Sequence, residues 1–398
     1  MATRRVLFLT PIRPGLAGSG LAHRAAAWQR ALGQVAQVHT LVVPMADPGA
    51  SAAPSPAGTH LVALPDAAAS ELGAIRGMAN PAVRAVMAAF DLELPPVLAA
   101  PAWLGASTAA HLISTEPFDV IVCFRSYLAP FAAGLRATAP SAASARLIVD
   151  LDDDDAAYHR SRGDLRTAAQ YDLLVAHLGD EGATLVAAGH HTVAGVTTLP
   201  NCVDLPAPAA TEPLPGRILL VANLTYAPNI DAVDWYLANV HPHVVAAQPE
   251  ATLRLVGRGG QRWASAPGVD VAGLVDDLAP EYAAATAVIA PVRTGSGTRI
   301  KVLEAWAHSR PLIATTAAVD GRQLQPGTQA LIADEPPAFA AAVVDVLTQP
   351  DRAAGLATAG RAHVAQHYSS AVFDRAVAEL IELVGQGPHA GSSEPAQP

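Results

Sequence analysis

The segment Pro291-Val-Arg-Thr-Gly-Ser-Gly-Thr-Arg-Ile-Lys-Val-Leu-Glu-Ala-Trp-Ala307 concentrates residue types that bind anions. The apolar run Ala287 to Pro291 reads as a strand, and the loop after it carries Gly295 and Gly297. A helix then opens near Thr298, a residue type suited to an N-cap. Ile300, Leu303 and Trp306 or Ala307 recur at helical spacing and face a core, while Lys301, Glu304 and His308 share another face. A glycine-rich loop feeding a helix offers free N–H groups and the positive end of the helix dipole to a phosphate. Arg299 and Lys301 in the first turn oppose that dipole, so they call for an external anion, and a diphosphate supplies one. Glu304, one turn on, suits a pair of vicinal hydroxyls such as those of a ribose. The competing reading is a solvated Lys–Glu pair on a surface helix. The string is not a P-loop, because G-x-x-x-x-G-K-[ST] is absent. Gly18-Ser-Gly20 does not satisfy the dinucleotide fingerprint either, since position 23 is His23.

A second constellation is acidic. Five aspartates lie within positions 150 to 155, at the end of the strand expected over Leu147 to Leu151. Their mutual repulsion requires partners or solvent. Asp150 and Asp152 alternate with Leu151 and so share a strand face. Asp154 and Asp155 read as loop and N-cap residues of a following helix. Arg125 and Tyr127, just past the strand Asp119 to Cys123, point to the same side of the sheet, and His159 follows the acidic run. His190-His191 lies beside a glycine turn, and Cys123 and Cys202 have no zinc or disulfide spacing, so no metal site is expected.

These residues need a scaffold, and the chain alternates strand and helix signals. Arg5 to Thr10 and Val38 to Val43 read as strands around a helix over Leu21 to Gly33. Residues 46–59 read as a surface loop. A Pro-rich stretch after Leu199-Pro-Asn-Cys-Val-Asp204 reads as a linker. Beyond it strands are expected at Arg217 to Ala222, Thr252 to Val256, Val269 to Ala272 and Pro311 to Thr315. Helices are expected at Ile230 to Asn239, Ala279 to Ala285, Pro337 to Leu347 and Ala371 to Val384. The alternation implies two doubly wound parallel-sheet α/β domains, 1–200 and 205–370, facing a cleft. The helix over 371–384 can return to the first domain, and residues 386–398 read as a disordered tail.

The 398 residues are 51% hydrophobic and 15% charged, which excludes a disordered chain. The formal net charge of −10 argues against nucleic acid as a partner. No apolar run reaches the length of a membrane span; the best, Val120 to Leu135, is interrupted by Arg125 and Ser126. Arg4 and Arg5 before a short apolar run have the order of a signal peptide, but a first β-strand is the better reading. A cytoplasmic protein without a bound cofactor is expected.

The second half resembles the nucleotide-sugar-binding domain of GT-B glycosyltransferases, most like the retaining group called family 4, or glycosyltransferase group 1. The matching stretches are Val221-Ala-Asn-Leu-Thr-Tyr-Ala-Pro-Asn-Ile-Asp-Ala-Val233, Leu255-Val-Gly-Arg258, Val269 to Val275, Ala290-Pro-Val-Arg293, Gly297 to Ala307, and Arg310 to Thr315 with Gly321. Pro200-Asn-Cys-Val-Asp204 is similar to the family's PNGVD.

The resemblance implies a glycosyltransferase that takes a UDP- or GDP-linked sugar in the second half and an acceptor hydroxyl in the first, with retention and without metal. Glu304 would hold the ribose; Arg299, Lys301, Gly297 and Thr298 the diphosphate; Asn223 would lie near the phosphates and Arg258 beside the nucleobase. Gly18, Ser19 and Gly20 would approach the donor from the first half. Asp152 takes the place where many members have a histidine, and Arg125, Tyr127, Asp150 and His159 are candidates for the acceptor. Asp150-Leu-Asp152 mimics the D-x-D metal motif of the other glycosyltransferase fold, a reading the two cations make unnecessary. One departure is Ser296, where the family's E-x7-E pattern has its first glutamate, so the way the sugar is held is open. The acceptor can be a glycan, a lipid-linked glycan at a membrane surface, or a small metabolite. An epimerase or hydrolase of the same fold, and a non-catalytic nucleotide-sugar-binding subunit, are the alternatives.

Overall fold

The computed structural model describes residues 3–15, 20–43, 58–61, 110–113, 115–161, 163–189, 191, 193–208, 211–294, 299–319 and 324–386. Seven strands form the first sheet: β1 (Arg4–Thr10), β2 (Ala36–Val42), β3 (Thr59–Leu61), β4 (Val120–Phe124), β5 (Arg146–Asp150), β6 (Thr184–Ala187) and β7 (Thr197–Thr198). Their order is β3-β2-β1-β4-β5-β6-β7, parallel throughout. Six form the second: β8 (Arg217–Val221), β9 (Thr252–Val256), β10 (Val269–Gly273), β11 (Ala287–Ala290), β12 (Leu312–Ala314) and β13 (Leu331–Ile332). Their order is β10-β9-β8-β11-β12-β13, again parallel.

The central strands β4 and β11 are buried along their whole length, which is why they read as unbroken apolar runs. In β1, Leu7 and Leu9 pack with Ile121, Val149 and Phe131, while Val6 and Phe8 pack with Trp28, Val122 and Ile148. In the second sheet Ile218 and Leu220 join Tyr236, Leu253 and Phe339, while Leu219 joins Val302, Leu303 and Trp306.

The helices that matter for the site are α1 (Gly20–Val35), α2 (Asp155–Ser161), α3 (Leu165–Asp180), α4 (Ala227–Trp235), α5 (Ala279–Ala284), α6 (Ile300–Ala307) and α7 (Ser370–Gln386). The helix expected from Ile230 starts three residues earlier, because Pro228 in the first turn presets the backbone. It continues through a π turn at Tyr236–Val240 into a helix at His241–Ala247. The apolar stretch Val120 to Leu135 resolves into β4, a 3-10 turn at Ser126–Leu128 and part of a helix at Ala129–Thr138. Among the described residues no helix is long and apolar enough to cross a membrane. Both cysteines are free and buried. The loop reading for 46–57 and the tail reading for 387–398 fall outside the described residues.

Each sheet has one place where sequence neighbours part: β1 lies beside β4, and β8 beside β11. Ligands of such sheets bind where the loops diverge beyond these strand ends. The chain passes between the sheets at Val203 and returns at Ser369, and the two crossings pair in a parallel bridge. Val203 N donates to Tyr368 O at 2.9 Å, Ser370 N to Val203 O at 3.0 Å, and Ser370 Oγ to Asp204 Oδ1 at 2.5 Å.

Beyond the second crossing, α7 lies on α1. Phe373 meets Trp28 edge-on with centroids 5.8 Å apart, and Asp374 pairs with Arg30 at 2.9 Å. Arg4 and Arg146 donate to the carbonyls of Ile381 and Val384 near the end of α7, where the Val384 carbonyl has no helical partner. Gly385 leaves the room this needs, since a Cβ there would strike the Arg4 guanidinium.

Candidate functional site

In the second domain the first turn of α4, which follows β8, meets the first turn of α6, which follows β11. Lys301 Nζ donates to Asn229 Oδ1 at 2.7 Å. Asn229 Nδ2 in turn donates to the carbonyl of Asn223 at 2.8 Å. The Asn223 side chain closes its own turn, accepting from Thr225 N at 3.1 Å and Thr225 Oγ1 at 2.8 Å. Glu304 accepts from the Tyr282 hydroxyl of α5 at 2.9 Å, and Tyr282 stacks on His308 with centroids 4.5 Å apart.

Burial, reinforced by Arg299, lowers the Lys301 ammonium to about 7, with Glu304 acting the other way. Burial raises the Glu304 carboxyl, opposed by the Tyr282 hydroxyl and by the charges of His23 and Lys301. Arg299, not Thr298, occupies the N-cap position of α6, and its side chain makes no capping hydrogen bond. A guanidinium has only donors, so it cannot serve the amides of the first turn as a threonine would. Arg258 is exposed beyond β9, and its carbonyl accepts from Leu224 N at 2.9 Å.

The first domain brings α1 against this site. A Cβ on Gly20 would lie 4.0 Å from Ile300 Cγ1. His23 reaches the crossing strand, its Nε2 2.6 Å from the Cys202 carbonyl. Gly18, Ser19, Ser296, Gly297 and Thr298 lie outside the described residues.

Beyond β4 and β5 the acidic run is sorted by two arginines. Arg24, fully buried, donates from Nε to Asp150 Oδ2 at 2.7 Å and from Nη2 to Asp150 Oδ1 at 2.9 Å. Its remaining donors reach Asn201 Oδ1 at 3.1 Å and Leu199 O at 3.0 Å. Trp28 Nε1 also donates to Asp150, at 2.5 Å. Asp150 therefore does not face an acceptor as expected; it is fully buried and its oxygens are taken. Asp150 and Asp152 do not share a strand face either, because β5 stops at Asp150 and Asp152 adopts φ 61.

Asp152 accepts from Arg125 Nη1 at 3.2 Å, lies 3.6 Å from Arg24 Nε, and its amide donates to Asp150 Oδ1 at 2.9 Å. Arg125, at φ 82, spans from Asp152 to Asp155 Oδ1 at 2.6 Å and lies over the Tyr127 ring. These bonded partners are two of the three described non-glycine residues with positive φ, a conformation that persists only where the surroundings enforce it. Burial and then Asp153 push the Asp152 carboxyl up to about 7, against the pull of Arg125 and Arg24. Asp154 Oδ1 caps α2 by accepting from Ala157 N at 2.7 Å. His159 stacks on Tyr171 of α3 and lies 3.3 Å from Asp164. Among the described residues no group of three or more His, Cys, Asp or Glu side chains is arranged to hold a metal.

Sequence reasoning missed Arg24, His23, Asn229 and Tyr282. Asn229 alone carried a local signal, a polar amide directly after the first-turn Pro228 beside a strand end.

Residues 215–349 match the family model described as glycosyl transferases group 1. A curated relative, an uncharacterized 44.6 kDa protein in the cps region of Klebsiella pneumoniae, is 24% identical over 141 residues. That alignment covers 32% of this chain and 36% of the relative's length. Among solved structures, sucrose-phosphate synthase from Thermosynechococcus elongatus superposes with a TM-score of 0.64 at 15% identity, over 96% of this chain and 99% of that one. Anabaena Alr3699/HepE in complex with UDP and glucose superposes with a TM-score of 0.60 at 16% identity, over 95% and 99%. These structures superpose on nearly the whole chain, and so the protein has a GT-B fold, with residues 215–349 matching the glycosyl transferases group 1 model.

Proposed function

We propose that the protein is a glycosyltransferase that moves a sugar from a nucleoside-diphosphate donor to an acceptor hydroxyl. The observation carrying this reading is the convergence of Arg299, Lys301 and Glu304 on the divergence point of β8 and β11, beneath a helix start without a side-chain cap. Arg299, Lys301 and the first amides of α6 bind the diphosphate and stabilise the charge that develops as it leaves. Glu304 takes the ribose hydroxyls, Asn223 borders the phosphates, Arg258 borders the base, and Gly18, Ser19 and Gly20 contribute to the donor site from the first half. With two cations in place the reaction runs without a metal, and the family-4 resemblance implies retention.

The acceptor enters beyond β4 and β5. There Asp152, poised near neutrality, takes up the proton of the attacking hydroxyl or steadies positive charge on the sugar ring. Arg125 orients Asp152, and Tyr127 lines the same wall. A glycan, free or lipid-linked, or a small metabolite provides the hydroxyl, and the enzyme works in the cytoplasm.

A thermal-shift screen of UDP, GDP and their sugars tests the site. A ligand raises the melting temperature by mass action, and Arg299→Ala or Lys301→Ala abolishes the rise. Binding undiminished in both variants overturns the phosphate assignment. Binding without turnover across an acceptor panel overturns the transferase reading.

A further inference from the structure

Lys301 and Glu304 are three residues apart on α6, the spacing at which a lysine and a glutamate pair on a helix face. They attract one another, yet each is bonded elsewhere. Lys301 Nζ is on Asn229 Oδ1 at 2.7 Å, drawn toward the first turn of α4, and Glu304 Oε2 is on the Tyr282 hydroxyl at 2.9 Å, drawn toward α5. Both side chains are partly buried, where an ion pair between them is far stronger than in water. Such a pair would consume the cation meant for phosphate and the carboxylate meant for ribose together.

Resting on the donor-site reading above, we propose that Asn229 and Tyr282 are positioning residues that hold Lys301 and Glu304 apart, keeping both groups available to a nucleoside diphosphate. The Asn229 amide is itself fixed, its Nδ2 spent on the Asn223 carbonyl at 2.8 Å, so its oxygen must face the lysine. Tyr282 is fully buried and stacked on His308, so its hydroxyl cannot swing. The charged groups that bear on this pair are Arg299 on the same turn and His23 from α1.

Composition sharpens the point. The chain has 25 Lys and Arg residues, and Lys301 is its only lysine. A planar guanidinium at position 301 would bridge to Glu304 with two parallel hydrogen bonds, whereas an ammonium is a point donor that one amide can redirect.

The lone lysine makes the test direct. Protein grown with 13Cε-lysine gives a single side-chain resonance, whose titration is followed in wild type, Asn229→Ala, Glu304→Gln and the double variant, with UDP and GDP affinities by calorimetry. Asn229→Ala alone lets Lys301 fall onto Glu304, so its midpoint moves up by about one unit or more and affinity drops at least tenfold. In the Glu304→Gln background the same substitution moves the midpoint down, because only an acceptor is lost, and the further affinity loss shrinks to a few-fold. Tyr282→Phe reproduces the upward move. Asn229→Ser serves if the alanine variant fails to fold. A downward move in both backgrounds, or equal affinity losses in both, overturns the proposal. The donor-site reading fails separately, if Lys301→Ala binds UDP and GDP as tightly as wild type.

Discussion

The Arg24 guanidinium grips both oxygens of Asp150, at 2.7 and 2.9 Å, with neither side chain exposed to solvent. The same arginine reaches Asn201 and Leu199, where the chain leaves the first sheet, and lies 3.6 Å from Asp152. One buried cation thus ties the acidic strand end to the crossing between domains.

Removing one member of a buried pair strands the other, at a cost of about 3–5 kcal/mol, whereas replacing both with apolar side chains is far milder. Arg24→Met and Asp150→Leu are each expected to lower the free energy of unfolding of the first domain, read from urea denaturation, by that amount, and the double variant by clearly less than the sum. Additive losses would show that the two side chains act independently.

Asp152 has an ordinary value of 3.8 and stands near 7 in the fold, so the folded state prefers it protonated. Its contribution to stability is fully present below about 3.8 and is lost as pH rises through about 7. Asp152→Asn should therefore leave stability nearly unchanged at about pH 3.5 and stabilise the protein increasingly from about pH 4 to about pH 7, reaching ~2–4 kcal/mol at about pH 8. The same variant should lose activity, and the wild-type rate should fall about tenfold per unit below pH 7. A melting temperature unmoved at pH 8 would place the charged carboxylate at no cost to the fold.

Lys301 works in the opposite sense. Its folded value of about 7 lies below the ordinary 10.5, so stability from this group is present above about 10.5 and lost as pH falls toward 7. At pH 8 the free amine is largely neutral, and a bound diphosphate favours the ammonium. Calorimetry of UDP in two buffers of different ionisation enthalpy should then record uptake of up to about one proton at pH 8 and almost none at pH 6. Equal uptake at both values would assign the proton to another group.

Phe373 fills the groove of α1 against Trp28 and is 2% exposed. Phe373→Ala is expected to cost about 3–5 kcal/mol. Hydrogen exchange should localise the loss to the first domain, although residue 373 follows the second in sequence. Loss of protection confined to β8–β13 would contradict the packing.

The parts of this molecule that could be read in advance are the local ones. Strands β1, β4, β5, β8 and β11 stand out because burial on both faces leaves their centres no polar alternation, and α6 because Ile300, Leu303 and Ala307 mark its inner face. Strands β7 and β13, at two residues each, carry no period to detect.

The site divides the same way. Arg299, Lys301 and Glu304 fall within one helical turn and a half, so their meeting is a matter of spacing. Asn229 and Lys301 are 72 residues apart, Tyr282 and Glu304 are 22, and Arg24 and Asp150 are 126. Only the sheet order brings such pairs together. Asp150 and Asp152 are the same residue type two positions apart, and nothing local tells the structural one from the poised one. The buried guanidinium of Arg24 and the left-handed backbone at Asp152 make that distinction.

The placement of α7 has a consequence for how the protein comes into being. Phe373, Val377, Ile381 and Val384 share a cluster with Val6, Phe8 and Trp28, so the first sheet cannot be sealed by residues near it in the chain. A ribosome delivers strands β1 to β7 early, but the helix that covers α1 arrives only after the whole second domain has been synthesised. Until then the nascent first domain keeps a greasy flank uncovered, and α7 closes it on emerging.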